Sequence, residues 1–346
     1  MYKVVVRAAP AGGGRFKNLA WRKVRVRKSL DEICHSVELE LPAGERGNIH
    51  KHDKVEVRLY SPYVTPDDNP DGTKRVTTVM VDELTGLTDT EQNSLLAVGR
   101  SPARDIIDSS WSHRIINMQS LEYVAGEVAK PFGITVLRMP ERSPATGPVY
   151  SFSWESESPW QKLIAEADNQ GYIFTSNEEG NLYLWKVAAN KREEGFALDE
   201  RSNIRNVQIT ENGAEQFHVY VVKGGGRLPI REYDSTCKNN REMTINLTDL
   251  MVSEETMRRR ALTEMKRRKY NRVLVTVSGW GLSESHIKTW SSTFRKEIVW
   301  NPNFLIPVNL PSCGLSGKLL IPQVEYQADR ESMTSTITLA DPEAYA

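Results

Sequence analysis

Few residues in this chain stand at spacings that chemistry uses. His50-Lys51-His52-Asp53 sets two imidazoles and a carboxylate close together, so that alternate side chains on one strand face could offer ligands to a metal. A metal needs further convergent donors, and no HExxH or paired-cysteine partner accompanies this run, so a solvated strand start is the better reading. Glu38 with Glu40, and Glu155 with Glu157, have the form of an acid and base pair for glycoside hydrolysis. Carboxylates two apart on a strand, however, usually mark its wet side. Gly281-Leu282-Ser283-Glu284-Ser285 lacks the closing glycine that a nucleophile elbow needs for its sharp turn, which leaves Ser283 as a turn residue. Gly317-Lys318 resembles the end of a phosphate loop, but Ser312 stands where the first glycine should be and Leu319 where a hydroxyl should hold magnesium. The six histidines, including His35, His113, His218 and His286, have no Ser or Cys partner at a recognisable spacing and are read as structural. These residues predict no catalytic group, no cofactor and no metal.

Two basic clusters are more open. Lys23, Arg25 and Arg27 share one strand face, and Arg258, Arg259, Arg260, Lys266, Arg267, Arg268 and Lys269 make one helix strongly positive. Phosphate or subunit contact is the candidate role for the helix. Neither cluster is interleaved with the aromatics that stack on single strands, which favours a solvated or subunit-facing surface. Gly12-Gly13-Gly14 and Gly224-Gly225-Gly226 complete no GxGxxG leading into a helix and read as flexible connections. The eight tryptophans, among them Trp160, Trp280, Trp290 and Trp300, are assigned to cores or interfaces.

The elements that would carry these groups are mostly strands. In the first hundred residues, Val24 and Val26, then Val37, Leu39 and Leu41, then Val55, Val57 and Leu59 alternate with charged neighbours, the period-two pattern of strands with one buried face. Pro62 to Thr73 reads as a loop and Val76 to Leu84 as a strand, and several short strands at this spacing suggest a barrel or sandwich. Past Gly99-Arg100-Ser101-Pro102 the texture changes. Leu121, Val124, Ala125, Val128 and Ala129 fall at helical spacing, closed by Pro131 and Gly133 before a strand from Ile134 to Leu137. Ser158-Pro159-Trp160-Gln161 opens a second helix with a capping serine and a proline at its first position, and Gly171 ends it before a hairpin from Tyr172 to Trp185. From Asn203 strands return, interrupted by one helix that Ser253 can cap, with Glu254 and Glu255 in its first turn and Lys266 to Lys269 at its negative end. Strands over 274–277, 298–300, 305–308, 319–326 and 335–339 close the chain.

Length and charge bound what such a chain can do. With 346 residues, two or three domains are expected, and 26% charged against 39% hydrophobic residues is the composition of a folded protein. Lys plus Arg equal Asp plus Glu at 45 each, so no overall field draws the molecule to nucleic acid or an anionic membrane. Cys34, Cys237 and Cys313 are scattered and odd in number, which suits a reducing compartment without disulfides or zinc. Met1 to Arg7 lacks the features of a signal peptide, and no apolar run reaches the length of a membrane helix. A soluble protein without membrane insertion is expected.

Three stretches together resemble the Mu-type tail hub family, found in many prophages as a tail protein and related in fold to the baseplate hubs of contractile phages and the base of type VI secretion spikes. They are Ser120-Leu121 through Lys130-Pro131-Phe132-Gly133-Ile134; Ser158-Pro159-Trp160 through Gly171-Tyr172, followed by Glu179-Gly180-Asn181-Leu182; and the ordered set Val277-Ser278-Gly279-Trp280, Ile298 to Asn303, Leu319 to Tyr326 and Thr336 to Pro342. The resemblance implies a mainly β fold in which two β-barrel-like domains flank a small α/β insert. The expected division is 1–100 plus 199–232 as a discontinuous first barrel domain, 101–198 as the insert, and 233–346 as a second barrel domain with one helix. It also implies a non-enzymatic homotrimer in the virion, assembled in the host cytoplasm. Such a hub would join the six-fold tail tube and other baseplate proteins to the three-fold spike and enclose the channel through which DNA passes. A tail-associated peptidoglycan hydrolase, marked by a convergent carboxylate pair or metal triad, and a nucleic-acid-binding adaptor, marked by salt-sensitive affinity through Arg258 to Lys269, are the alternatives from other classes.

Overall fold

The computed structural model describes residues 3–60, 72–88, 93–110, 114–115, 118–139, 146–149, 152–153, 158–186, 197–200, 203–247, 252–269, 272–281 and 299–345. The predicted alternation becomes strands. Lys23–Ser29, Ser36–Pro42 and Lys54–Tyr60 each bury their valines and leucines on one face, and Asn93–Arg100 buries Leu95 and Ala97. They pair antiparallel with Lys3–Ala9 and Thr73–Thr88 in the order 23–29, 36–42, 93–100, 73–88, 54–60, 3–9, with the short Lys17–Leu19 at the end.

This array does not stop at residue 100. Leu315–Ala328 is long enough to serve two neighbourhoods. Its first half pairs with Leu305–Leu310, and its second half lies between Met333–Ala340 and Lys23–Ser29. Arg272–Ser278 and then Ile204–Thr210 continue beyond Met333–Ala340, and Leu198–Asp199 adds parallel to Leu305–Leu310. The result is one 13-stranded sheet where the resemblance implies two barrel-like domains, and among the described residues its strands follow an open path. One contiguous core runs through it, from Val4, Val6 and Val24 to Trp280, Tyr326 and Ile337. The mainly β expectation is borne out.

The predicted insert has its own core. Ser120 and Ser158 cap helices Leu121–Ala129 and Pro159–Gln170, accepting from the backbone N–H groups of Tyr123 and Trp160. Leu121, Val124, Val128, Trp160 and Leu163 face a three-stranded sheet of Val136–Met139, Leu182–Trp185 and Ile173–Ser176. A third small core lies under helix Glu254–Lys269, which packs Met257 and Ala261 on a sheet of Ile230–Tyr233, Val219–Lys223 and Glu242–Asn246. Thus Ile204–Thr210 pairs with the carboxy-terminal strands, and Val219–Lys223 and Ile230–Tyr233 pack under that helix.

Candidate functional site

The insert meets the large sheet through polar side chains. Lys28 carries the parity of Val24 and Val26, so the pleat turns it inward, and it is 1% exposed. A buried ammonium needs compensation. Asn301 Oδ1 accepts from its Nζ at 2.9 Å, Glu178 Oε1 lies at 3.4 Å, and the Tyr326 ring stands 6.0 Å away. Glu178 belongs to the insert's hairpin and Asn301 to the loop before Leu305–Leu310, so one cation joins three parts of the chain. Burial would raise the Glu178 carboxyl, but Lys28 overrides it and the group titrates below its usual range. His35 is buried beside them with its Nδ1 3.0 Å from Thr77 Oγ1, and burial, reinforced by Lys28, lowers its pKa to about 3. Around these groups lies a cleft of about 130 Å³.

Backbone and hydroxyl contacts complete the junction. Thr78 Oγ1 donates to the Glu178 carbonyl at 2.8 Å, Ser176 N–H to the Ile33 carbonyl at 2.8 Å, and Ser101 and Ser176 hydroxyls meet at 2.6 Å. Asn177 Oδ1 shapes the hairpin turn by accepting from Glu179 N and Asn181 N. Gly180 closes that turn at φ +94, where a Cβ would lie 2.6 Å from Pro102. Nearby, buried Glu56 accepts from Arg7 and Arg58 and pairs with Arg75 at 3.2 Å, while Arg75 also reaches Glu179 at 3.8 Å.

The basic helix is the predicted contact region, and its charges are largely used within the molecule. Arg258 donates to Glu232 at 3.1 Å, and Arg259 donates to the Asn169 carbonyl. Arg260 stands between Asp168 at 3.4 Å and Glu264 at 3.8 Å; burial outweighs Arg260 at Asp168 and raises that carboxyl. Lys266 pairs with Glu343, Arg267 pairs with Asp31 and lies over Tyr345, and Arg268 donates to Glu264 at 2.6 Å above Phe217. Lys269 lies at the helix's end, where its carbonyl accepts from Gln216. Six of the seven cationic side chains therefore have partners within the molecule, and those of Arg258, Arg259, Arg260, Lys266 and Arg267 tie this helix to the small sheet, the insert, the carboxy-terminal turn and Asp31. On the strand cluster, Arg25 reaches Glu325 at 2.9 Å and Glu38 at 3.5 Å, Arg27 reaches Gln323 and Glu32, and Lys23 is exposed.

The other sequence-derived candidates resolve as follows. His50 and Asp53 form a turn, with Asp53 Oδ2 accepting from His50 N at 2.8 Å, while His52 lies at φ +70 beside Arg104. Among the described residues no group of three or more His, Cys, Asp and Glu gathers as metal ligands. Glu38 and Glu40 stand on the wet side, paired with Arg25 and Arg22. Gly317 and Lys318 lie within a hairpin strand opposite Val308 and Pro307. His218 faces the Asp234 and Cys237 carbonyls. Gly224 and Gly225 are packed closely against Leu247 and Val252, which corrects the reading of that run as a flexible connection. Cys34, Cys237 and Cys313 are free thiols, and burial pushes Cys34 up to about 11. Trp160 packs edge-on to Phe174, and the Trp280 indole N–H donates to the Gln327 carbonyl. His113, Glu155, Glu157, Ser283, Ser285, His286 and Trp290 lie outside the described residues. No described helix is long and apolar enough to cross a membrane. Most of the charged candidates among the described residues are engaged in ion pairs and hydrogen bonds within the molecule.

Comparison with known proteins agrees with the resemblance read from the sequence. Residues 103–186, the insert, match the family described as baseplate hub protein gp44-like, second domain. The chain is 22% identical over 355 residues to the baseplate hub protein gp44 of Escherichia phage Mu, covering 94% of this chain and 85% of that protein. In fold it is similar to the 43 kDa tail protein of prophage MuSo2 from Shewanella oneidensis, at 22% identity and TM-score 0.78 over 99% of both chains. It also resembles the c3393 protein of E. coli, a component of the type VI secretion system, at 10% identity and TM-score 0.59 over 99% of this chain and 76% of that one.

Proposed function

We propose that this chain is a non-enzymatic subunit of a contractile-tail baseplate hub, a homotrimer in the virion that joins the tail tube to the central spike and encloses the DNA channel. The observation that carries the reading is the likeness to the Mu baseplate hub over 94% of the chain, insert included. The division into units is part of the proposal. The expected division set 199–232 with 1–100; we propose 1–100 as one barrel-like part, 101–198 as the insert, and 199–232 with 233–346, a reading supported by the pairing of Ile204–Thr210 with Arg272–Ser278 and of Val219–Lys223 with Glu242–Asn246. Assembly in the host cytoplasm fits the free thiols.

Such a subunit needs rigid placement of its parts, because a small rotation within one copy repeats around a closed ring. The continuous sheet and the Lys28 junction supply that stiffness. A nucleic-acid adaptor working through the helix would have to break the pairs that Arg258, Arg260, Arg267 and Arg268 already make. Light scattering coupled to size-exclusion chromatography tests the hub reading: a trimer is expected at tens of micromolar, and a monomer throughout that range would sink it. Zymography on cell-wall material is expected to show no clearing.

A further inference from the structure

Two apolar features on different sides of the basic helix match each other. The first is the turn 224–229, between Val219–Lys223 and Ile230–Tyr233, where Leu228 is 88% exposed, more than any other large apolar side chain among the described residues. The turn that carries it is braced. Gly224 and Gly225 close against Leu247 and Val252, Arg227 N donates to the Gly224 carbonyl at 3.2 Å, and Arg227 Nε donates to the Val252 carbonyl at 3.0 Å. Pro229 then restricts the backbone of Leu228 itself. A single exposed leucine is ordinary on a surface, but one presented on a braced turn loses little conformational freedom when a partner covers it.

The second is a pocket of about 180 Å³ between the insert, helix Glu254–Lys269 and the carboxy-terminal turn, whose apolar lining includes Trp160, Ile164, Tyr172, Phe174 and Tyr345. A dry cavity of roughly 150 Å³ takes a benzene ring, so a leucine side chain fits this one. Ile164 is 41% exposed, so the pocket opens to solvent. Arg259, Arg260 and Arg267 also line it, but the Asn169 carbonyl, Asp168 and Asp31 hold them, and the space suits an apolar group better than an anion. Along the helix, Arg259, Arg260, Thr263 and Arg267 turn to the pocket, while Met257 and Ala261 turn to the small sheet that bears Leu228. Leu228 thus stands on another side of the helix from its own chain's pocket, and a Leu228 that fills the pocket belongs to a second copy.

We propose that Leu228 of one copy enters this pocket on the next copy, a head-to-tail contact repeated around a ring. A knob and a pocket at different places on one surface make a heterologous contact, which either closes into a ring or runs on as a filament. Closure at three copies rests on the hub reading; the contact itself does not. Charge favours the same pairing. Arg227, exposed beside Leu228, makes no ion pair among the described residues, and at the pocket burial outweighs the Arg260 partner of Asp168. One leucine anchors an interface without making all of it, and Tyr233, 58% exposed on the same hairpin, extends the contact. An anionic membrane suits the turn less well, since even one long acyl chain anchors a protein only marginally.

The test uses the full chain. Leu228→Asp and Ile164→Asp, both at exposed positions where folding is not at stake, are expected to give monomers by light scattering at a concentration where the unmodified chain is a trimer, with unchanged thermal melts. Leu228→Ala is expected to raise the concentration of half-dissociation about tenfold. Geometry is read by crosslinking. Because Cys34 and Cys237 are buried, Cys313→Ser supplies the background, in which Leu228→Cys chains are mixed with Ile164→Cys chains and a short bismaleimide. A crosslinked dimer is expected from the mixture and from neither chain alone. A trimer that survives both Asp substitutions, or a mixture that does not crosslink, would overturn the proposal and leave the hub standing. A monomeric unmodified chain whose mixed cysteine variants still crosslink would keep the contact and remove the hub. Binding to phosphatidylglycerol vesicles that Leu228→Asp abolishes, with the oligomeric state unmoved, would assign the turn to a membrane and overturn the proposal as well.

Discussion

At the scale of single residues the decisive group is Lys28, an ammonium held between a carboxylate and an amide. Removing one partner leaves a buried charge short of compensation, which costs about 3–5 kcal/mol for a fully buried pair. The Glu178 side chain keeps 31% of its surface in water, so Glu178→Ala is expected to cost less, about 2 kcal/mol, read as a shift of the urea midpoint at unchanged slope. A shift worth under about 0.5 kcal/mol would mean that Asn301 alone satisfies Lys28. His35 gives the junction a pH dependence whose sign follows from its depressed pKa of about 3, against 6.5 for a free histidine. Between those values the unfolded chain binds more protons, so this contribution is fully present above about pH 6.5 and declines as pH falls, by at most about 1.4 kcal/mol per unit. Glu178 acts in the same direction but lower, losing its contribution as pH drops below the ordinary carboxylate range. His35→Asn is expected to flatten stability between pH 6.5 and 4.5; an unchanged slope there would assign the acid sensitivity to other groups.

At the scale of elements, two glycines separate backbone freedom from packing. Gly126 lies inside helix Leu121–Ala129 with nothing within 4 Å of an added Cβ, so Gly126→Ala is expected to stabilise by about 0.5–1 kcal/mol. Gly99 lies in strand Asn93–Arg100, where a Cβ would stand 2.6 Å from the Met80 carbonyl beside an irregularity in the pairing. Gly99→Ala must shift backbone and is expected to destabilise by about 2–3 kcal/mol. Thermal melts of the two variants should therefore move in opposite directions. The basic helix behaves as a tie between elements for the same reason that it looked like a binding surface: arginines on every side of it find partners wherever another element approaches.

At the scale of the molecule, the sheet makes the amino-terminal strands depend on carboxy-terminal ones. Lys23–Ser29 pairs on one side with Leu315–Ala328, and its Val24 and Val26 share a core with Val324 and Tyr326. A fragment of residues 1–100 made alone would expose that strand's edge, a template for aggregation. It is expected to lack a cooperative melt by circular dichroism, and a sharp transition would show that the first strands are self-sufficient. The intact chain is expected to melt its large sheet as one unit.

The sequence alone determined the local elements. Period-two burial, the capping serines Ser120, Ser158 and Ser253, and the left-handed glycines Gly133 and Gly171 are signals written in neighbouring residues, and the structure follows them. The resemblance to tail hubs was legible too, because it rests on an ordered set of such local features. Lys28 was within reach of the same reasoning, since it shares the parity of Val24 and Val26, but its partners were not. Glu178 lies 150 positions away and Asn301 lies 273 away, and no local pattern says which distant acid or amide will approach a given cation. Tertiary structure alone decided that the two β-rich regions share one sheet and that most cations of the basic helix find partners within the molecule. Pairing between strands is set by which hydrophobic faces close over each other, a property of the assembled core rather than of any one segment.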